Sequence, residues 1–314
     1  MAEKVLVTPR SLTEAPHHAV ETMRQQGVEV IYCSPGRQPD EAELLSLVPE
    51  ITGWVAGVEP ISPAVIAAAR HLRCISRNGT GVDNLPLQAL QERNIVLRTA
   101  NGANARGVAE LAIAMMLSSL RNIPLTDRGI KDGAWPRKRG LEIRGRCLGV
   151  IGFGAVGREV ARLGKVLGTR VLVHDPFCPD VAANDPDILW ASLNECFASS
   201  DIISLHCPPP PGGKPLVDSA LLSAARSGLI LVNTARASLV DEVALGLAID
   251  QGKVSGYCVD VFDTEPPQLP GLASRQEVIA TSHIGGYTEE SVSRATEFAI
   301  ANLMDALRMG EHPF

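Results

Sequence analysis

Leu148-Gly149-Val150-Ile151-Gly152-Phe153-Gly154-Ala155-Val156-Gly157 is the stretch that decides the fold. Its first four residues carry no polar side chain and read as a buried strand. From Arg158 the pattern reads as a helix, and Gly-x-Gly-x-x-Gly lies between. Gly152 allows the tight turn, Gly154 lets a pyrophosphate approach the backbone, and Gly157 lets the helix pack on the strand. The helix start adds free N–H groups and partial positive charge for phosphates. The motif alone is weakly specific, so its surroundings matter. The next strand, Val171 to His174, runs into Asp175, about 18 residues past Gly157 and near the ~20 expected of a ribose-binding acid. Taken singly, Asp175-Pro176 is also a simple turn. Behind the glycine motif, a carboxylate there accepts bonds from both ribose hydroxyls and repels a 2′-phosphate. NAD is therefore the expected cofactor, in preference to NADP.

Outward from this motif, short apolar runs alternate with helical patterns. Val5–Val7 precedes a helical stretch near Ala15 to Gln26, which Gly27 stops. Further strands read at 28–32, 53–58, 74–77 and 95–98. After the motif they read at 202–205, 229–232, 256–261 and 278–280, with the motif's own strand at 147–151. Apolar runs without alternation, joined by helices, predict doubly wound α/β domains with parallel sheets covered on both faces. A helix from near Asn104 carries a stripe of Val108, Leu111, Ala112, Met115 and Met116, widened by Ile113 and Leu117. Such a helix must be buried on several sides, between domains or between subunits. Asp127 to Arg146 reads as a looser basic stretch, Pro208 to Pro215 as a loop, and the chain turns helical again after Ser282.

Composition narrows the class. A chain of 314 residues suggests about two domains. With 45% hydrophobic and 20% charged residues it can bury a large core. The net charge of −6 lacks the basic footprint of a nucleic-acid binder. The longest apolar run, Leu111 to Leu120, is short for a bilayer and contains Ser118 and Ser119. The start, MAEKVLVTPR, shows no signal-peptide pattern. Seven dispersed cysteines without a CxxC pair argue against a disulfide framework and a structural zinc site. They predict a reducing, cytoplasmic setting, with most of the thiols acting as small buried hydrophobes. No metal is expected.

Three later segments place reactive residues just past strands. Asn233-Thr234-Ala235-Arg236 offers an arginine, Asp260 to Pro267 offers acids including Glu265, and Thr281-Ser282-His283-Ile284-Gly285-Gly286 offers a histidine. Ligands of open α/β sheets sit outside the carboxyl ends of the strands. Oxidising a 2-hydroxy acid needs a base for the hydroxyl proton while hydride leaves C2. A histidine that titrates near neutrality serves in both directions. A glutamate beside it holds the ring tautomer, and an arginine grips a carboxylate and polarises a 2-oxo group. Singly, each reads equally well as a surface charge or a loop histidine; behind a nucleotide motif, together, they read as one site.

At these residues the sequence resembles the D-isomer-specific 2-hydroxyacid dehydrogenases, phosphoglycerate dehydrogenase-type members most. The resemblance runs through Arg77-Asn78-Gly79-Thr80-Gly81-Val82-Asp83-Asn84, Asn101 to Asn104, Gly140 to Gly157, Leu205-His206-Cys207-Pro208, Asn233 to Glu242, Asp260 to Pro267 and His283 to Gly286. It implies catalytic roles for Arg236, Glu265 and His283. It implies NAD contacts at Thr80, the glycine motif, Asp175, His206, Cys207, Thr234, Ala235, Arg236, Asp260, His283, Ile284, Gly285 and Gly286. It implies that the backbone amides of Asn78 and Gly79, with Arg236 and His283, hold the substrate. It also implies a Rossmann NAD-binding domain at 100–287 and a smaller flavodoxin-like substrate domain at 1–99 and 288–314. A homodimer through the NAD-binding domain is expected, with Trp135 and Arg137-Lys138-Arg139 reaching the partner's substrate site. That basic run also reads as a solvated loop.

The departures from the family concern the substrate. Val55-Ala56-Gly57-Val58-Glu59-Pro60 lacks the arginine that phosphoglycerate dehydrogenases carry for the phosphate, and Glu59 would repel a phosphate if it faced the site. Pro208 to Pro211 replaces the usual Pro-Leu-Thr, and Ala237 stands where a glycine usually follows the arginine. The expected function is hydride transfer between NAD(H) and a small D-2-hydroxy or 2-oxo acid. Hydroxypyruvate or glyoxylate reduction is an alternative to phosphoglycerate oxidation. A non-catalytic, NAD-sensing co-repressor-like scaffold is the rival from another class. Formate oxidation is disfavoured by Glu265, while phosphite oxidation is compatible with the triad.

Overall fold

The computed structural model describes residues 3–15, 17–177 and 187–309. Its strands are β1 (Lys4–Val7), β2 (Glu29–Tyr32), β3 (Gly53–Ala56), β4 (Cys74–Arg77), β5 (Val96–Thr99), β6 (Cys147–Ile151), β7 (Arg170–His174), β8 (Ile188–Trp190), β9 (Ile202–Leu205), β10 (Leu229–Asn233), β11 (Val254–Val259) and β12 (Val278–Ala280). Its helices are α1 (Arg10–Glu14), α2 (His18–Gln25), α3 (Glu41–Leu47), α4 (Pro63–Ala68), α5 (Leu87–Glu92), α6 (Ala105–Leu120), α7 (Ile123–Lys131), α8 (Ala155–Val166), α9 (Leu193–Ser199), α10 (Ser219–Ala224), α11 (Glu242–Asp250) and α12 (Glu289–Met309). The chain divides into two units: residues 1–104 with 289–314, and residues 105–288.

In the first unit the described strands form one parallel sheet in the order β2-β1-β3-β4-β5. This is the flavodoxin-like order of doubly wound folds. Successive strand residues point to opposite faces. Leu6, Trp54, Ala56 and Ile75 pack on one face with Leu44, Val65, Ile66 and Leu90 of α3, α4 and α5. Val5, Val7, Val55 and Cys74 pack on the other with Val20 and Met23 of α2 and with Ala299, Ile300 and Leu303 of α12. The end of the chain thereby closes the core begun by β1.

In the second unit the order is β12-β11-β10-β9-β6-β7-β8, all parallel. The chain runs from β6 outward to β8, then returns to β9 and runs outward the other way. The order reverses between β6 and β9, which is where nucleotides bind in such sheets. Leu148, Val150, Val171 and Val232 pack with Ala109 and Met116 of α6 and Val160 and Ala161 of α8. Ile151, Leu205 and Leu231 pack with Phe197, Leu221 and Leu245 of α9, α10 and α11. β6 is buried at every position, which explains its unalternated sequence.

Three expectations need correction. The helical stretch expected near Ala15 to Gln26 is α2, which starts only at His18 because Ala15 is extended (φ −135, ψ 136), as expected of a residue before proline; a separate helix, α1, precedes it. The basic stretch from Asp127 begins inside a helix, α7, whose Pro124 sits in the first turn, where proline is tolerated. β8 has no counterpart among the expected strands; three residues give too short a periodic signal. Cys33, Cys74, Cys147, Cys196 and Cys258 are buried free thiols and Cys207 is half-buried and free; Cys178 lies outside the described residues. No single helix among the described residues is long and apolar enough to cross a membrane. α6 and α7 reach that composition only together, across a bend of 66°, and α6 is packed on the sheet.

Candidate active site

In the second unit the candidate residues lie at the carboxyl ends of neighbouring strands. His283 follows β12, Asp260 and Glu265 follow β11, Arg236 follows β10, His206 and Cys207 follow β9, the glycine loop follows β6, and Asp175 follows β7.

The three glycines of the motif differ in what fixes them. Gly152 has φ +94, and a Cβ there would lie 2.6 Å from the His206 carbonyl. A Cβ on Gly157 would lie 2.0 Å from the Gly152 carbonyl oxygen. Both are required by the protein's own backbone. Gly154 is not: its φ is −70, and nothing lies within 4 Å of where its Cβ would be. It faces open space beside the start of α8, whose first N–H groups receive no side-chain cap. Asp175 holds this loop, with one carboxylate oxygen accepting from the Phe153 amide at 2.7 Å and the other from Phe177 at 2.8 Å. Thr234 adds a buried hydroxyl with no hydrogen-bond partner. Open space and free helix N–H groups suit a bound pyrophosphate, and the orphaned Thr234 hydroxyl past β10 suits a polar group of a ligand. Burial pushes His206 down to about 3, so its ring is neutral, and Ser204 Oγ lies 2.8 Å from its Nε2.

His283 and Glu265 meet. His283 Nδ1 lies 2.9 and 3.0 Å from the two oxygens of Glu265. An ionised carboxylate only accepts, so Nδ1 carries the proton and Nε2 is the free acceptor. The Phe262 amide also donates to Glu265, at 3.2 Å. His283 has φ +56, a left-handed conformation uncommon outside glycine. Asp260, buried to 2% exposure, accounts for it. Its Oδ1 accepts from Thr281 Oγ1 at 2.6 Å and from the Ile284 amide at 2.8 Å, and its Oδ2 accepts from the Gly285 amide at 2.8 Å. One carboxylate thus fixes the loop on both sides of His283.

Arg236 is presented by a second buried polar group. Asn233 is fully buried at the end of β10; its side-chain amide donates to the Arg236 carbonyl at 2.8 Å and its Oδ1 accepts from the Ala235 amide at 3.1 Å. Arg236 itself donates to the Ala235 carbonyl at 2.7 Å. Asn233 and Thr281 are site residues that sequence reasoning misses. Their only signal is a polar side chain directly at the end of an apolar strand.

In the first unit, Asn78, Gly79 and Thr80 follow β4. The Asn78 amide donates to the Ala56 carbonyl and the Gly79 amide to the Arg77 carbonyl, both at 2.8 Å. Both amides are hydrogen-bonded within the chain: the β3–β4 ladder continues one residue to Asn78, and Gly79 then turns back on Arg77. Glu59 is 1% exposed, accepting from Thr8 Oγ1 and, at 2.9 Å, from the Gly57 amide. A Cβ on Gly57 would lie 2.6 Å from the Glu59 carboxylate, so no side chain fits beside it. In the second unit, Trp135, Arg137, Lys138 and Arg139 are exposed.

A family model, the NAD binding domain of D-isomer specific 2-hydroxyacid dehydrogenases, matches residues 113–285. The chain belongs to the D-isomer specific 2-hydroxyacid dehydrogenase family. It is 38% identical over 87% of its length to a D-3-phosphoglycerate dehydrogenase of Archaeoglobus fulgidus, of which it covers 52%. It is 35% identical over 81% of its length to a hydroxypyruvate reductase of Thermotoga maritima, covering 84% of that protein. Among solved structures it resembles the TT0316 protein of Thermus thermophilus, with a TM-score of 0.86 and 32% identity over 99% of this chain and 98% of that one. The chain spans about half the length of the curated phosphoglycerate dehydrogenases of Archaeoglobus fulgidus and Methanocaldococcus jannaschii that it matches.

Proposed function

We propose that the protein is an NAD-dependent oxidoreductase that moves a hydride between NAD(H) and C2 of a small D-2-hydroxy or 2-oxo acid. The observation that carries this reading is the His283–Glu265 pair at 2.9 Å, at the carboxyl edge of the NAD-binding sheet. NAD, when bound, takes up or returns the hydride at its nicotinamide ring. In oxidation His283 Nε2 removes the hydroxyl proton, and in reduction it returns one to the new alkoxide oxygen. Glu265 keeps the proton on Nδ1 and stabilises the imidazolium that forms. Arg236 pairs with the substrate carboxylate through parallel hydrogen bonds and draws charge toward the 2-oxo oxygen. Glycines 152, 154 and 157 with Ala155 and Val156 receive the pyrophosphate, Asp175 the ribose, and Thr234 the buried phosphate or ribose edge. Other NAD contacts are assigned to Thr80, His206, Cys207, Ala235, Asp260, Ile284, Gly285 and Gly286.

The substrate class is a small acid without a phosphate, supported by Gly57 and buried Glu59 where a phosphate-binding cation would be needed. The protein is further read as a homodimer through its NAD-binding unit, supported by exposed Ile123, Ile130, Trp135 and Leu141. A cytoplasmic setting is supported by the free thiols. The test is NADH consumption with a panel of 2-oxo acids: glyoxylate, hydroxypyruvate, pyruvate and phosphohydroxypyruvate. Turnover on an unphosphorylated acid supports the reading. Preference for the phosphorylated one refutes the substrate class. Tight NADH binding without turnover on any of them favours the scaffold reading.

A further inference from the structure

The first unit carries a group of ligand-type side chains that hydride transfer does not use. His17 is the N-cap of α2 and His18 is its first residue. Their ring centroids are 4.4 Å apart. Ser293 and Glu297, one turn apart on α12, face them. His17 Nε2 lies 3.2 Å from Ser293 Oγ, and His18 Nε2 lies 3.5 Å from Glu297 Oε1. One ligand atom from each of His17, His18 and Glu297 falls within 4.8 Å of the other two. Among the described residues no other such group occurs.

We propose that His17, His18 and Glu297 form a binding site for zinc or a similar first-row divalent ion, which ties the start of α2 to α12 within the first unit. Two imidazoles and one carboxylate are the donor set that zinc takes with a fourth position left to water. Magnesium and calcium prefer oxygen ligands and fit poorly. The His18 side chain is 71% exposed, so an ion enters directly from solvent. Ser293 Oγ donates to Glu297 Oε1 at 3.2 Å and so orients the ligating carboxylate from behind.

The metal-free arrangement is itself hydrogen-bonded, and that gives the site a signature. His17 Nδ1 accepts from the Ala19 amide at 3.2 Å, so the neutral ring carries its proton on Nε2, toward Ser293. An ion at Nε2 replaces that proton, and Nδ1 then carries one and can no longer accept. Zinc binding and the helix cap at Ala19 therefore exclude each other.

The experiment is calorimetric titration of the full chain, stripped with chelator, with zinc chloride at neutral pH. The His283–Glu265 pair is another imidazole–carboxylate pair, so variants separate the two. Wild type is expected to bind one zinc more than His18→Ala, and His283→Ala is expected to keep that zinc. Glu297→Gln, at a half-exposed position that tolerates the change, should weaken it by at least about tenfold. Magnesium chloride should give no such site, and the Ala19 amide resonance should shift on zinc addition in wild type and in His283→Ala but not in His18→Ala. Equal zinc stoichiometry and affinity in wild type, His18→Ala and Glu297→Gln, or an Ala19 amide unmoved by saturating zinc, overturns the proposal.

Discussion

A methyl group on Gly157 has no room, whereas one on Gly154 has open space around it. The two glycines of one motif therefore answer to different constraints, the first to folding and the second to what binds. Gly157→Ala should lower thermal stability, since the Gly152 carbonyl is backbone and cannot step aside. Gly154→Ala should leave the melting temperature within about a degree, as for substitutions that meet no contact, yet weaken NADH binding measured by fluorescence. Loss of stability in both variants alike would contradict this division. Glu59 makes a second residue-scale case. Burial is the largest influence on its carboxyl and raises its pKa; bonds from Thr8 and the backbone and the charge of Arg77 oppose this without reversing it. The folded chain thus holds that proton to higher pH than the unfolded chain, whose value is near 4.5. The group's contribution to stability is full below the unfolded value and is lost as pH rises through the folded one. Glu59→Gln stays neutral throughout. Urea denaturation should show wild type losing stability relative to the variant as pH rises from about 4.5 towards neutrality, and parallel profiles would rule the effect out.

At the scale of elements, the loop between β12 and α12 holds a histidine in a strained conformation because one buried carboxylate holds the loop at three points. Asp260→Ala should release that loop. Turnover should fall and NADH binding should weaken, and backbone hydrogen exchange should rise across 281–285; unchanged exchange there would show that something else holds the loop. Much of this is legible from residue order. Glycine spacing, strands read as unbroken apolar runs and polar residues just past their ends put Arg236, Glu265 and His283 at one sheet edge. What residue order does not disclose is pairing at a distance. Nothing in it says that Asp260 serves the segment at 281–285, because those bonds depend on β11 lying beside β12. The Asn78 amide is a further case: it pairs with Ala56 at the end of β3, a neighbour that residue order does not reveal.

At the scale of the whole molecule, two parallel sheets each bury their own core, and α12 packs on the first sheet, whose strands all lie before residue 100. The alternation of strand and helix makes the sheet class legible, while the return of α12 to the first unit rests on contacts between residues some 200–300 positions apart, such as Asn302 with Thr99. The exposed apolar residues of α7 and the segment after it belong to this scale too. More than half of the Ile130 surface and most of Trp135 face outward, an arrangement expected of a subunit interface. Light scattering should give a dimer for wild type and a monomer for Ile130→Asp; a wild-type monomer would remove the interface.

In the proposed mechanism His283, oriented by Glu265, moves the substrate proton, and the roles given to Arg236 and the coenzyme contacts are arranged around it. The decisive experiment is the turnover of His283→Ala on the best 2-oxo acid of the panel, with NADH binding measured on the same preparation. Turnover should fall roughly 10²–10⁴-fold with NADH affinity nearly intact. Turnover equal to wild type, at equal NADH binding, would take His283 out of the chemistry.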